Sequence, residues 1–332
     1  MVISVSYAPY ERKIMKILIQ IIFYFGAMAL VSPSAYCIDE SPDLLIFSIE
    51  EAYSEPALRG EVGNYARDLI SRGDEALPFI INALKRGDLS APTQSTLSYI
   101  LGKIGHEKIA PDLMELLARK DIAKNARIRI SKLLKKWEIR DAIPVMLDLI
   151  RDKEEDRNIR IVNIRTLGRW KAQTALVHLS KIARDEKDEP FVRYKAIQML
   201  ENFSQEQATD MLINVLERPI KGRSFLVERA IIALGKKKDK RATQVLINLA
   251  QKDVGPILKK RCVLSLGEIG DPEAIPLLRK FLKGDNRMLR DYSARVLEKI
   301  TGKRIEIPEQ TTFPAKQKFP QKLLSGPMVK TE

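Results

Sequence analysis

Two histidines, His106 and His178, are the whole imidazole complement of this 332-residue chain, and Cys37 and Cys262 are its thiols. Triad hydrolysis, histidine acid–base catalysis and most zinc sites draw on that small set. His106 follows Gly105 in a turn and His178 falls on an alternating apolar and polar helix face, each without a nucleophile motif beside it. No Cys/His cluster has metal-ligand spacing, and neither a metal nor a cofactor is expected. The glycines of "RGEVGN", Gly60 and Gly63, are too few and follow no strand, so they do not read as a phosphate cradle. Glu154-Glu155 and Asp185-Glu186 fall where solvated turns are expected. Cys262 sits in an apolar helix face and reads as a small core residue. No catalytic set emerges, and a non-enzymatic protein is expected.

Aromatic and cationic residues offer another chemistry, recognition. Trp137 and Trp170 are flanked by basic residues and could present a sugar or base platform. Lys132, Lys135, Lys136, Arg165 and Arg169 crowd the same stretch of a chain whose formal net charge is +14. Whether these residues share a surface depends on the elements that carry them.

Those elements repeat. "AIPLLRKFL" from Ala274 has counterparts starting at Ala76, Ile109, Ala142, Ala175, Ala208 and Ala242, with spacings of 33, 33, 33, 33, 34 and 32. Downstream, a leucine anchor recurs at Leu101, Leu134, Leu167, Leu200, Leu234, Leu266 and Leu297. Offsets of −8, −4, 0 and +3 from it are mostly apolar and fall on one face of a 3.6-residue helix. Lys237 alone breaks the last offset, which suggests a weaker fifth repeat. Asp74, Asp141 and Asp271 are candidate N-caps for the first helix of a unit, and Gly105 and Gly270 candidate left-handed C-caps for the second. A unit of about 33 residues cannot bury its own apolar faces, so neighbours must stack. The expected fold is all-α, an α-solenoid of about seven two-helix repeats over 74–302, with the first helices outside and the second inside.

In that frame Trp137 and Trp170 occupy the +3 slot filled elsewhere by Ile104, Phe203 and Ile269, which assigns them to packing. The five cations fall at offsets −2, +1 and +2, on adjacent second helices. They form either a solvated lysine-rich face or a binding site for an acidic partner.

The repeats resemble the HEAT-like repeats of the phycobilisome-lyase type. The resemblance is carried by Leu266-Gly267-Glu268-Ile269-Gly270-Asp271-Pro272-Glu273-Ala274, by Leu101-Gly102-Lys103-Ile104-Gly105, and by Val192-Arg193. Its arginine slot reads Arg127, Arg160, Arg193, Lys259 and Arg290, with Gln94 and Val227 departing from it. The resemblance implies a helical scaffold. Lyase activity does not follow from repeat identity, since this repeat type serves many partners.

The ends differ from the middle. Three basic groups and one acid lie in residues 1–37, and an uncharged run, Ile17 to Val31, precedes "SPSAYC". That is the order of an export signal, and the chain could equally start at Met15. Cleavage after Cys37 would leave a chain of charge +12, while acylation of Cys37 or an uncleaved segment would tether it to a membrane. Residues 38–73 are expected to cap the first repeat, and 303–332 to be a disordered, basic, Pro-rich tail. Together these features describe an exported scaffold, periplasmic or in the cell envelope, that binds an acidic protein or an anionic envelope component. The competing class is a HEAT-like-repeat enzyme of the DNA-glycosylase type, which fits the charge but conflicts with export and makes nucleic acid the less favoured partner.

Overall fold

A computed structural model describes residues 41–217 and 224–308, and every regular element among them is helical. The expected export segment with Cys37 and both candidate starts, and the tail beyond 308, lie outside the described residues. Helices α1 (Pro42–Ser54) and α2 (Val62–Ser71) precede the repeats. The first three repeats pair α3 (Leu77–Arg86) with α4 (Ala91–Ile104), α5 (Ala110–Ala118) with α6 (Lys124–Lys136), and α7 (Ile143–Arg151) with α8 (Arg157–Arg169). The next two pair α9 (Gln173–Arg184) with α10 (Pro190–Leu200), and α11 (Gln205–Leu216) with α12 (Ser224–Lys237). The last two pair α13 (Thr243–Gln251) with α14 (Gly255–Ile269), and α15 (Ile275–Leu282) with α16 (Arg287–Thr301). The fold is an all-α solenoid of two-helix repeats.

The leucine register builds its core. All seven anchors, Leu101 to Leu297, are 0 to 1% exposed, and the residues at −8 and −4 are buried with them. Second helices pack on one another along the whole series, whereas neighbouring first helices touch sparsely, so the solenoid bends toward the second-helix side. Some approaches are very close. A Cβ on Gly168 would lie 2.5 Å from the Cβ of Met199, and one on Gly235 2.9 Å from the Cα of Ser265. Only a residue without a side chain lets those helix pairs meet.

The arginine slot joins consecutive repeats. Arg127 donates through Nε to the Leu117 carbonyl at 2.9 Å and grips Glu155 of the next repeat with two N–H groups at 2.9 and 2.7 Å. Arg160 does the same with the Ile150 carbonyl and with Asp188, at 2.7 Å to each carboxylate oxygen. Glu155 is therefore not in a solvated turn, because the guanidinium from the preceding repeat holds its carboxylate in the interior. Gln94, one of the two departures from the slot, makes a neutral version. Its amide donates to the Leu89 carbonyl at 2.9 Å and accepts from the Ala123 N–H at 2.6 Å.

Three other expectations are corrected. Asp271 caps a turn by accepting from the Glu273 N–H at 3.2 Å, but Asp74 and Asp141 lie inside short 3-10 turns and cap nothing. Gly270 is left-handed at φ 75°, whereas Gly105 is extended at φ −72° and ψ 158°. The left-handed conformation falls instead on non-glycine residues in the same slot, four after the anchor: Glu138, Lys171 and Lys238 at φ 54°, 52° and 54°. Lys237 does not leave a hole in the fifth repeat. It is buried, its stem fills the +3 slot, and its ammonium donates to the Phe203 carbonyl of the fourth repeat. Burial pushes its pKa down, with Lys171 adding to the shift.

Candidate partner-binding face

Opposite the leucine anchors, offsets −9, −5, −2 and +2 fall within roughly 160–220° around each second helix. Because consecutive second helices lie side by side, these four offsets become rows running along the inner face. The +2 row begins Lys103, Lys136, Arg169, and the −2 row Tyr99, Lys132, Arg165. On α6 and α8 the cations Lys132, Lys136, Arg165 and Arg169 are exposed, and none forms a hydrogen bond or ion pair among the described residues. The structure thus brings the five cations named from the sequence onto two adjacent helices, with Lys135 half-buried between them.

Lys135 reports the electrostatics of the patch. It occupies offset +1, which faces the next second helix, and its pKa is lowered by burial and then by Arg169 and Arg165. The same slot in the fourth repeat holds Glu201. That carboxylate pairs with Arg229 and, at 3.3 Å, with Lys236, both on the next second helix. One fold position is neutralised in one repeat and set against like charge in another. Lys195 on α10 extends the second pattern, its pKa lowered by burial, Arg165 and Arg229, while its ammonium donates to Gln198 at 3.0 Å.

The face also holds residues that composition alone did not single out. Tyr99 lies beneath Lys103 and Arg129, at 5.3 and 5.6 Å from its ring centre. Beside it an open cleft of about 730 Å³ is lined by Tyr53, Pro92, Thr96 and Asn125, with the Tyr53 hydroxyl 2.8 Å from that of Thr96. Farther along, Phe191, Phe225 and Ile257 occupy the −9 row of α10, α12 and α14. Extending the leucine register outward to −9 and −5 is the sequence signal that finds them.

The residues first considered for chemistry are dispersed. His106 sits 3.4 Å from Asp74 and accepts from the Lys108 N–H, and His178 on α9 has its pKa lowered by burial, Arg151 and Lys181. The Cys262 thiol is buried, its pKa pushed up to about 12 by desolvation. Trp170 is buried and Trp137 half-buried against the core. Among the described residues no three His, Cys, Asp or Glu side chains converge as a metal site requires, and no helix is long and apolar enough to cross a membrane.

The family of HEAT repeats matches residues 143–224, 186–262 and 226–298, three overlapping windows that each span about two of the pairs described above. The chain is a HEAT-like repeat protein. Its HEAT repeats are similar in structure to human deoxyhypusine hydroxylase in complex with glycerol, at 18% identity and a TM-score of 0.35, over 79% of this chain and 98% of that one. They are also similar to the complex of CpcE and CpcF of phycocyanin lyase from Nostoc sp. PCC7120, at 24% identity and a TM-score of 0.40. That match covers 48% of this chain and 65% of the other. No curated protein matches the sequence.

Proposed function

We propose that this HEAT-repeat solenoid is an exported, non-enzymatic scaffold that binds an acidic protein partner on the second-helix face of its second and third repeats. The observation that carries the reading is the contrast at offset +1. Where Glu201 stands, Arg229 and Lys236 are neutralised within the fold; where Lys135 stands, Arg165 and Arg169 crowd a third positive charge, and no acid among the described residues pairs with them. Clustered like charge lowers the stability of the free protein. A carboxylate-rich partner removes that penalty on binding, and a merely solvated face would gain nothing from holding Lys135 half-buried where Arg165 and Arg169 repel it.

Reversing Lys132, Lys136, Arg165 and Arg169 to Glu tests this. The wild-type chain and the variant are used as bait for cell-envelope extract at two salt concentrations, with duplex DNA as a separate arm. A protein captured by the wild type, released by salt and lost from the variant, whose helix content is unchanged, is the expected result. Equal capture by both returns the cations to a solvating role, and charge-dependent retention of DNA in place of protein would favour nucleic acid. N-terminal sequencing of envelope material tests export: a mature end near Ile38 is expected, and a chain beginning at Met1 or Met15 contradicts it.

A further inference from the structure

We infer that the inner face is bipartite and takes a single extended acidic segment that also bears apolar side chains, its carboxylates over α6 and α8 and its apolar residues over α10, α12 and α14. The inference rests on the reading of the face as an acidic-partner site and adds which partner chemistry the rest of the face selects. Between α8 and α10 the −9 row turns apolar and the −2 row loses its charge, becoming apolar one second helix later. The −9 row runs from Asn125 and Asn158 to Phe191, Phe225 and Ile257, and the −2 row from Lys132 and Arg165 to Gln198, Ile232 and Leu264.

The apolar half is exposed, and its aromatic side chains are continuous. Phe191, Phe225 and Ile257 are 58, 37 and 63% exposed, and the Phe225 ring lies 6.1 Å from those of both Phe191 and Tyr194. Single exposed apolar side chains need no explanation, but three in one register on consecutive helices make a patch of the kind that marks interaction sites. Most of its cations are already answered: Glu201 holds Arg229 and Lys236, and Glu228 holds Arg261 at 2.6 Å, while Lys195 on α10, which donates to Gln198, continues the cationic half to the boundary. This half therefore attracts by burial, and the cationic half by charge.

The two halves lie in one line across parallel second helices. Neighbouring helices pack about 8–10 Å apart, and an extended chain rises about 3.3 Å per residue, so a bound segment spends roughly three residues per repeat. The partner pattern is then acidic residues over two steps of three followed by apolar residues over the next three steps, in one chain polarity. Cation–π contact strengthens the junction, since Arg157 lies 5.9 Å from the Phe191 ring centre.

The probe is a fluorescein-labelled synthetic peptide with paired glutamates at two successive third positions and then Phe, Phe and Leu at the following third positions. It is made in both chain polarities and compared with an acidic-only peptide in which the apolar residues are Ser. Anisotropy at near-physiological salt reads the affinities. One polarity should bind at least about tenfold tighter than the acidic-only peptide. Phe225→Ser with Ile257→Ser should remove that gain and leave the acidic-only peptide unaffected; Ile257→Ser alone, at the most exposed position, should remove part of it. The four-cation reversal should weaken both peptides. If it weakens neither, the acidic-partner reading fails. If it weakens both but the serine variants bind the full peptide as wild type does, or neither polarity shows a gain, only the bipartite inference is overturned. Loss in the serine variants of binding to phosphatidylglycerol vesicles, or of a doubled mass in light scattering, with no peptide gain, would assign the patch to a membrane or to a second copy and overturn it too.

Discussion

The buried junction between the third and fourth repeats can be rewritten in the form the first repeat uses. Arg160 donates twice to Asp188 and twice to the Ile150 carbonyl, and Asp188 accepts in addition from the Glu189 N–H at 2.6 Å. Arg160→Gln alone leaves a buried carboxylate with one backbone donor, a situation that costs about 3–5 kcal/mol. In the first junction, Gln94 stands in the arginine slot and Ile122 in the slot of Asp188. Combining Arg160→Gln with Asp188→Ile transplants that solution. The introduced amide can accept from the Glu189 N–H and donate to the Glu155 carbonyl five residues back, as Gln94 does to Leu89. The Ile150 carbonyl still loses its donors, so the pair of changes should cost about 1–2 kcal/mol. Urea unfolding followed by tryptophan fluorescence suits the test, because Trp170 directly follows α8, the helix that carries Arg160. A double variant no more stable than Arg160→Gln, or a single variant losing under about 1 kcal/mol, would refute the equivalence of the two junctions.

Leu167→Ala should lose about 2–5 kcal/mol through lost burial and a residual cavity, and Lys136→Ala less than about 0.5 kcal/mol; equal losses in chemical denaturation would show the register misplaced. Lys238→Gly should stabilise by about 0.5–1 kcal/mol, because it relieves a left-handed side chain where the sixth repeat already has Gly270; a lower melting temperature would contradict this. Lys135 has a lowered pKa in the free protein, and a bound carboxylate restores its proton. Affinity for an acidic peptide should therefore fall as pH rises, beginning below the ordinary lysine value of 10.5. Calorimetry in buffers of differing ionisation heat should show proton uptake there, and none in Lys135→Met.

The repeat was legible because it is written in apolar spacing: each anchor from Leu101 to Leu297 is buried as its offset requires. The junctions were not, because a sequence does not show which charge 28 residues away a guanidinium will meet. Arg127 and Glu155 look like two solvated residues until the stacking of repeats closes them together. The caps at Asp74 and Asp141 failed for a related reason, since 3-10 turns ahead of the first helices shift the orphan backbone donors away from those aspartates. The five cations were readable from register alone, while the apolar row at Phe191, Phe225 and Ile257 required carrying that register one more turn toward the helix start.

The stitching of repeats by buried guanidinium–carboxylate bridges also has an elastic consequence. In the arginine slot such bridges cross from the second repeat to the third and from the third to the fourth, Arg229 and Glu201 tie the fourth to the fifth, and the fifth repeat carries Val227 in that slot. Under tension between its ends, the solenoid should behave as a stiff beam from α6 to α12 joined to a softer spring beyond α12. The cations would then keep a fixed spacing while Ile257 on α14 moves with the softer part, so one end of a bound segment would be held at a rigid ruler and the other followed by a compliant jaw.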